Sequence, residues 1–339
     1  MLVSPAEAAT LATTWSSIAD LGGGACPLLA IDLRGASRAS IGPTAHDALG
    51  EAMHSLPWVN LVAIDPEPDH SLVALIDTAD VVVSEADGVD AEVAALAAAI
   101  TASPQASVAL VQLLRLAEHT SVEQAVHAES LTYGLLQSGE TFQAWLAGRN
   151  SSIEPDDEPA VLVDRRGGLL TITLNRPDRR NALNVAMRDG LVEALELLDL
   201  DRSLDGALLV GNGSNFSAGG DLDEFGTTPS AATGHHVRTV RSLPRLVHHV
   251  RDRLRVHVHG TCVGAGIELP AFAHAVIADP DASFRLPEIG FGLVPGAGGT
   301  VSVSRRCGRQ RTAWWALRGI PIDTATALSW GLVDRIAER

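Results

Sequence analysis

The chain has 339 residues, of which 46% are hydrophobic, so it is long enough for two domains and can bury a sizeable core. Its net charge is −16, and all 25 basic residues are Arg. This balance disfavours nucleic-acid binding, and the lack of Lys excludes Schiff-base chemistry through a lysine. The acidity is uneven, because residues 1–150 carry a net charge of −14 and residues 151–339 only −2.

The three cysteines, Cys26, Cys262 and Cys307, are odd in number and lack metal-ligand spacing. We therefore expect a reducing compartment and predict no metal site, and we interpret Cys262 as a small buried residue. Residues 1–25 lack the basic and apolar regions of a signal peptide, and no apolar run reaches membrane-spanning length. The expectation is a cytoplasmic protein that does not associate with membranes.

The first 85 residues alternate helical patterns with short apolar segments, and they contain no acid-base pair and no glycine-rich cradle. From residue 91 the pattern becomes strongly helical, and each helix begins at a capping residue or a proline. The sequence predicts helices at 5–18, 45–55, 91–102, 104–119 and 121–146, and strands at 28–33, 59–64 and 81–84.

A polar, acidic segment with a proline pattern typical of a linker lies at residues 151–159. We therefore divide the chain into an α/β unit at 1–150, which ends in helices, this linker, and a core at 160–339. Within the core the sequence predicts a hairpin of strands at 160–164 and 169–174, a helix at 182–200, strands at 207–210 and 256–259, and helical structure within 226–255.

Two glycine-rich turns, at 264–266 and 296–299, bracket the glutamates Glu268 and Glu288, which are 20 residues apart in a mostly apolar setting. Glycine lets the backbone turn closely around a ligand, and the free N–H groups at the start of a helix attract an anion. A helix at 265–272 would place Glu268 about one turn beyond Ala265. An acid and a base could therefore meet beside a site for negative charge.

Two prolines limit the structure around these glutamates. Pro270 delays or kinks the predicted helix, and Pro287 prevents any helix from carrying Glu288 away from the turn. A further glycine pair lies in residues 215–222, which also follow an apolar strand and precede a predicted helix. A single glycine-rich turn would most simply be a surface loop with solvated glutamates. The second turn makes this interpretation less favoured, because it offers a second backbone N–H donor. Asp221 is interpreted as a helix cap rather than a proton carrier.

Four segments together resemble the crotonase (enoyl-CoA hydratase/isomerase) superfamily. They read LNRPDRRNAL at 174–183, FSAGGDL at 216–222, HGTCVGAGIEL at 259–269 and PEIGFGLVPGAGGT at 287–300, and the likeness covers roughly residues 160–336. The resemblance implies an α/β fold with a crotonase-like (ββα)n spiral core. It also implies an oxyanion hole in which the N–H groups of Gly220 and Ala265 hold the carbonyl of an acyl-CoA thioester, with Glu268 and Glu288 as the catalytic carboxylates.

The same resemblance implies an acyl-CoA substrate, no cofactor beyond the coenzyme A of that substrate, and a homo-oligomer that is a trimer or a dimer of trimers. Gly220 and Ala265 stand where alanine and glycine are frequent in the family, but neither change removes a backbone N–H. The substrate-binding positions that it implies are Arg176, Arg180, Ala182, Ala218, Gly219, Asp221, Leu222, Gly264 and Pro287.

The first half carries a weaker resemblance. Residues 103–106, 121–125 and 142–146 are similar to the helices that normally close a crotonase chain, whereas here the core ends near residue 334. We interpret residues 1–150 as a degenerate crotonase-like unit whose helices replace the missing ones, so that the N-terminal half supplies the helical region of the fold. An unrelated α/β domain remains the alternative.

The function that this reading predicts is an enoyl-CoA hydratase, a lyase of fatty acid metabolism, in which Glu268 and Glu288 add water to a 2,3-unsaturated acyl-CoA. One carboxyl group must keep its proton more readily than the other, so their environments should differ. An enoyl-CoA isomerase is the alternative within the superfamily. A non-catalytic acyl-CoA-binding or scaffold subunit is the alternative from another class.

The sequence allows more than one role for two groups of basic residues, the arginines at 176–180 and the histidines. Arg176, Arg179 and Arg180 either pair with coenzyme A phosphates or form a solvated loop. The histidines of 226–255 lack a carboxylate at ligand spacing, so a polar helix over the pocket mouth is the better interpretation. His257 and His259, which share one face of a strand, are expected to be satisfied core or interface residues.

Overall fold

The computed structural model describes residues 2–14, 26–84, 88–150, 152 and 158–338, with side chains of 11–14 outside that description. The predicted helix at 5–18 is present as far as Thr14, and its last residues lie outside the described ranges. Most of the predicted linker also lies outside them. Within them, no single helix is long and apolar enough to cross a membrane; only two consecutive helices, bent by 107° against each other, pass such a test together.

The first half forms a small α/β unit followed by four helices. In its described part three parallel strands form a sheet in the order β1-β2-β3. The predicted strands at 59–64 and 81–84 have the predicted bounds. The elements are α1 (Pro5–Thr14), β1 (Leu28–Asp32), α2 (Arg38–Ile41), α3 (Pro43–Ser55), β2 (Val59–Ile64), α4 (Val73–Thr78), β3 (Val81–Ser84), α5 (Val89–Ala102), α6 (Pro104–Glu118), α7 (Val122–Gln137) and α8 (Glu140–Ala147).

The sheet of the first half is covered on both faces, as parallel sheets generally are. Alternate residues of β1 point to opposite sides, so Leu29 and Ile31 pack with α1, α3 and α4, whereas Ala30 faces the other way. That second face, with Leu61 and Val83, joins a hydrophobic core that continues into the second half of the chain. One core therefore spans both halves.

The predicted helix at 121–146 is wrong in one respect, because the chain forms two helices there. α7 ends at Gln137, and Gly139 provides the extended cap from which α8 begins. Glycine is weakly helix-forming and favours such a break. The break lets α8 turn onto the short 3₁₀ helix Glu288–Phe291, where a Cβ on Gly292 would lie 2.9 Å from the backbone N of Phe142.

The second half has the topology that the sequence predicts for a (ββα)n core, and the α/β fold class is confirmed. Among the described residues, six strands form one sheet in the order β12-β9-β7-β6-β5-β4, and three form another in the order β11-β10-β8. The elements are β4 (Val161–Arg166), β5 (Leu169–Leu174), α9 (Val185–Leu200), β6 (Gly206–Gly211), α10 (Ala231–Val240), α11 (Leu243–Val250), β7 (Leu254–Val258), β8 (Thr261–Val263), α12 (Ala265–Glu268), β9 (Ala275–Ala278), β10 (Ser283–Arg285), α13 (Gly299–Cys307), α14 (Arg309–Arg318), β11 (Ile322–Asp323), α15 (Thr324–Ser329) and β12 (Arg335–Ile336).

Capping residues and prolines explain the differences from the predicted bounds in this half. α9 begins at Val185 rather than 182 because the Asn184 side chain accepts from the N–H of Met187. The predicted helix at 265–272 ends at Glu268, and Pro270 begins a separate 3₁₀ turn, Pro270–Phe272. The predicted hairpin at 160–174 is present, with β4 antiparallel to β5.

Buried polar contacts hold the two halves together. Arg309 of α14 contacts Asp80 and Glu118 at 3.0 Å each, and Arg318 contacts Glu92 at 2.7 Å. α6 and α7 also pack directly against α13, which begins at the second glycine-rich turn. The helices of the first half therefore cover the part of the core that carries the predicted site.

Candidate active site

The two predicted catalytic glutamates flank one glycine. A Cβ built on Gly264 would lie 2.5 Å from Oε1 of Glu288 and 3.6 Å from Oε1 of Glu268. Gly264 has φ of +50°, which side chains of L-residues rarely allow, and it is followed at once by α12, which ends at Glu268. The two carboxyl groups therefore lie close together beside Gly264, where a larger residue would collide with Glu288.

Glu268 is held by the second glycine-rich turn. It is 1% exposed, and its Oε2 accepts hydrogen bonds from the N–H groups of Ala297 at 2.7 Å and Gly299 at 2.9 Å. Burial, with the nearby charges of Glu288 and Glu129, raises its pKa, whereas the two amide donors act in the opposite direction. One oxygen of this carboxyl group is thus fixed, and the other faces Glu288.

Glu288 is placed differently. It begins the 3₁₀ turn Glu288–Phe291, which the sequence did not predict, directly after Pro287, and its Oε2 is buried with no hydrogen-bond partner in the described part of the chain. Burial raises the pKa of Glu288 to about 8. The two glutamates therefore have the unequal environments that acid-base chemistry needs.

The amides of Gly220 and Ala265 lie beside this pair. A Cβ on Gly219 would come within 3.7 Å of the backbone N of Ala265, so the turn at 219–220 directly adjoins the start of α12. Within the residues that the structure describes, neither the N–H of Gly220 nor that of Ala265 donates to another protein group. Two unused donors thus lie next to two carboxyl groups.

The loop that precedes α9 packs against the same turn. Ala218 donates to the carbonyl of Arg180, and Leu183 donates to the carbonyl of Gly219 at 2.7 Å. These bonds join the loop that contains Arg180 and Ala182 to the segment that contains Ala218 and Gly219. The other predicted substrate-binding residues stand next to site residues in the sequence: Asp221 and Leu222 follow Gly220, Gly264 precedes Ala265, and Pro287 precedes Glu288.

Arg176 does not fit the predicted phosphate contact. Its side chain is 4% exposed, its Nη1 lies 2.9 Å from Oδ2 of Asp221, and the same nitrogen donates to the carbonyl of Ala182 at 2.6 Å. The guanidinium is therefore used to brace the loop. Asp221 accepts from Arg176 and from the N–H of Asp223, so it caps the 3₁₀ turn Leu222–Glu224 as predicted.

Of the other two arginines in that loop, Arg179 approaches Asp223 at 4.0 Å, whereas Arg180 is exposed at a positive φ of 50°. Its side chain has no carboxylate within salt-bridge distance among the described residues. Arg180 is therefore the arginine of the cluster that remains suited to a phosphate.

The first half of the chain contributes residues that the sequence analysis missed. Glu129 of α7 is 1% exposed and accepts hydrogen bonds from Gly298 N at 2.7 Å, Thr300 N at 3.0 Å and Thr300 Oγ1 at 2.6 Å. Burial raises the pKa of Glu129 to about 7, although these hydrogen bonds oppose the shift. Tyr133, one turn further along α7, packs against Gly296 and beneath the guanidinium of Arg238.

Two further features of the first half border the site. A cavity of about 120 Å³ lies between α7, α10 and α11, and Glu129, Leu183, Arg238 and Ala297 are among the residues that line it. Near Gly220, Trp145 of α8 packs on Phe225 and Phe291 at ring distances of 6.1 and 4.8 Å. Both features place side chains of residues 1–150 next to residues of the predicted site.

A pattern in α7 could have revealed Glu129. The buried residues of this helix follow helical spacing and include Val122, Ala125, Val126 and Glu129. A glutamate on the apolar stripe of a helix is rarely buried without partners, so its position predicts a bonded or functional carboxylate.

The histidines and Cys262 have structural contacts. His257 lies 2.8 Å from Oδ1 of Asp279, His259 contacts the carbonyl of Gly213, and His235 of α10 contacts Ser130 of α7. Cys262 is fully buried, as predicted, and burial raises the pKa of its thiol.

Comparison with known proteins agrees with this geometry. The family model for enoyl-CoA hydratase/isomerase matches residues 164–339. The 2,3-dehydroadipyl-CoA hydratase of Escherichia coli (strain K12) is 37% identical over 176 residues, which are 52% of this chain and 68% of that protein. The 1,2-epoxyphenylacetyl-CoA isomerase of the same organism is 33% identical over 182 residues, 52% of this chain and 70% of that protein.

Solved structures with enoyl-CoA hydratase names are also similar to this chain. An enoyl-CoA hydratase from Thermoplasma volcanium GSS1 is similar with a TM-score of 0.50 and 28% sequence identity, over 54% of this chain and 73% of that chain. The relatives thus include both a hydratase and an isomerase, and each covers about half of this chain.

Proposed function

The chain belongs to the enoyl-CoA hydratase/isomerase family, and within it we propose that this protein is a hydratase that adds water to a 2,3-unsaturated acyl-CoA. The observation that supports this most directly is the pair of buried glutamates on either side of Gly264, next to two unused backbone donors. A hydratase needs two groups that exchange protons with water and substrate, and both are available here.

In the proposed reaction the N–H groups of Gly220 and Ala265 bind the thioester oxygen. Negative charge grows on that oxygen as water adds at C3, so the donors stabilise the enolate more than the substrate. Losing one such donor typically raises the barrier by about 3 to 4 kcal/mol. Because the donors belong to the backbone, small side chains at 220 and 265 keep the approach open.

The hydrogen bonds assign different roles to the two carboxyl groups. Two amides donate to Glu268, which favours its charged form, and Glu268 is the proposed base that takes a proton from water. Glu288, whose Oε2 is buried with no hydrogen-bond partner among the described residues, is the proposed acid that delivers a proton to C2. The water oxygen bonds to C3, the C2–C3 double bond becomes a single bond, and C2 receives the proton of Glu288. Glu268 then loses the proton that it took from water and Glu288 gains one, by exchange with solvent after product release, which restores the starting state.

Coenzyme A would lie along the loop at 176–183, with Arg180 facing a phosphate. The reaction requires no cofactor other than the coenzyme A of the substrate. The trimer, or dimer of trimers, remains part of the proposal, and the mass of the protein in solution tests it.

The test is the hydration of crotonyl-CoA by the wild type and by the variants Glu268→Gln and Glu288→Gln. Each variant should lower kcat by about 10² to 10⁴-fold, the usual contribution of a general acid or base. Glu193→Gln, at an exposed position of α9, is the matched control and should behave as the wild type. Full hydration by both site variants would contradict the proposed mechanism.

An isomerase is the second function to test, because one similar relative is an isomerase. Moving a double bond needs a proton carrier near C2 but no added water, so a single glutamate can suffice. A 3-enoyl-CoA distinguishes the two functions. An isomerase would convert it readily, would retain that activity in Glu268→Gln, and would lose it in Glu288→Gln.

A non-catalytic acyl-CoA-binding subunit is the third possibility to test. It would bind saturated and unsaturated thioesters tightly and turn over no member of a panel of 2-enoyl-CoA and 3-enoyl-CoA substrates. A panel of graded chain length therefore separates all three functions and also reports the preferred acyl group.

A further inference from the structure

Glu129 is a buried carboxylate that the proposed reaction does not use. It comes from α7 in the first half of the chain, and its hydrogen bonds to described residues all come from the turn at the start of α13. A buried carboxylate is costly unless it is fully bonded, so an arrangement with three donors indicates a specific role.

The turn at 297–300 gives its amides alternately to two glutamates. The N–H groups of Ala297 and Gly299 donate to Glu268, whereas those of Gly298 and Thr300 donate to Glu129. The first N–H groups of a helix have no partners within the helix, and α13 begins at Gly299. Two carboxylates from opposite sides therefore satisfy the donors of this helix start.

We infer that Glu129 is a positioning residue, which holds the turn at 297–300 in the shape that orients the carboxyl group of Glu268. Removing Glu129 would free two amides and the hydroxyl of Thr300 to seek other acceptors, and Glu268 is the nearest carboxylate bonded to the same turn. The turn would then shift, and Glu268 would move with it. Residues 1–150 are in this sense part of the active site.

The charges around Glu129 predict a second effect. Arg238 of α10 acts on it from one side, Arg188 and Arg241 line the same cavity, and Glu268 and Glu288 face it from the core. A negative charge at Glu129 disfavours charge on both site glutamates. A neutral side chain at 129 should therefore move both limbs of the pH profile of kcat/KM to lower pH.

The inference rests on the proposed function only for its kinetic consequence, since the shape of the turn can be measured without turnover. The experiment uses the full chain with Glu129→Gln, Glu129→Asp as the conservative variant, and Glu92→Gln as the matched control. Glu92 also lies in the first half and bonds the second, through Trp314 and Arg318, but it does not contact the turn. Hydrogen-deuterium exchange of residues 296–304, kcat, KM and pH profiles are measured.

For Glu129→Gln we expect faster exchange confined to residues 296–304, and a kcat for crotonyl-CoA that is about 10 to 100-fold lower, as a displacement near 1 Å produces. KM should change by less than about threefold, because the hydrogen bonds described for the amides of residues 297–300 go to Glu268 and Glu129 and not to the loop at 176–183. Glu129→Asp should recover part of kcat, and Glu92→Gln should match the wild type in all four measurements.

A folded Glu129→Gln protein with the exchange, kcat and pH profile of the wild type would overturn the inference. Should that variant fail to fold, Thr300→Val removes only the hydroxyl donor and must show the same changes at smaller size, whereas Thr300→Ser must not. If the wild type hydrates no enoyl-CoA, the proposed function fails, and the exchange of residues 296–304 still decides the role of Glu129.

Discussion

Two regions of the first half differ in what they contribute to the site. The front unit, residues 26–84, contacts the second half through Asp80 and neighbouring carbonyl groups, which bind Arg309 and Gln310 of α14. The helices of residues 88–147 supply Glu129, Tyr133 and Trp145 to the walls of the site. Both regions are well packed, but only the second reaches the catalytic turn.

The difference shows that one region of the first half can stabilise the fold without reaching the site, whereas the other does both. The front unit buries apolar residues on both faces of its sheet, which stabilises the fold. Each region also buries a carboxylate, which is costly unless it has partners: Asp80 of the front unit pairs with Arg115 and Arg309, whereas Glu129 of the helices accepts hydrogen bonds from the turn that holds Glu268. A change in either region should lower stability, and only a change in the helices should alter catalysis.

The largest expected effect comes from two core truncations compared directly. Phe142→Ala in α8 and Met53→Ala in α3 remove side chains that are 1% and 0% exposed, and each should lower the free energy of unfolding by about 2 to 5 kcal/mol. Phe142 also packs near Phe225, whose ring underlies Gly220. Denaturant unfolding and steady-state kinetics on crotonyl-CoA measure the two effects.

Per folded molecule, Met53→Ala should keep the kcat of the wild type, whereas Phe142→Ala should lower it severalfold. Equal kcat in the two variants would contradict the idea that only the helices affect catalysis. A greater loss of kcat in Met53→Ala would show that the front unit affects it more.

The second prediction concerns pH. A carboxyl group with a higher pKa in the folded state stabilises the fold below about pH 4.5, and this contribution is lost as pH rises through about 7 for Glu129 and about 8 for Glu288. The free energy of unfolding should therefore fall as pH rises from 5 to 8.5. Glu288→Gln should weaken this slope.

The front unit should respond in the opposite direction. Hydrogen bonds lower the pKa of Asp32, chiefly from Arg34, and of Asp69, from Ser71, so their contribution is present above the ordinary pKa of 3.8 and is lost on acidification. These groups are largely exposed, so the effect is small. Unfolding in urea from pH 3 to pH 8.5 checks both signs, and a stability that rises steadily through pH 8.5 would contradict the assignment for the site.

The smallest expected effect is at Arg180. This residue belongs to the second half, so its substitution tests the binding of coenzyme A without changing either region of the first half. Arg180→Gln should raise KM for crotonyl-CoA about two- to fivefold and leave kcat unchanged, since an exposed charge pair contributes about 1 kcal/mol or less. The exposed Arg166→Gln in the β4-β5 hairpin is the control. An unaltered KM in Arg180→Gln would exclude this contact.

The sequence was most informative where one local rule decides the structure. Strands β2 and β3 have the predicted bounds because their residues form short buried apolar runs, and the two glycine turns converge as their resemblance implied. The break at Ser138-Gly139 was missed because helical periodicity continues across it. Whether α8 leaves the line of α7 depends on packing against residues 288–291, which lie far away in the sequence.

The site could be predicted in part for the same reason. Glu268, Glu288, Gly220 and Ala265 lie in motifs that can be read locally, whereas Glu129 meets its partners across a sequence separation of 169 residues. The phosphate hypothesis was wrong for Arg176 because a sequence does not show that Asp221, 45 residues away, takes up its charge.

The continuous hydrophobic core that runs through both halves has a practical consequence. Neither 1–150 nor 158–338 could be expressed as an independent module without exposing the core residues that pack against the other half. A cut between them would instead give complementary fragments that stay associated, since the peptide link contributes far less to their union than the surfaces they share.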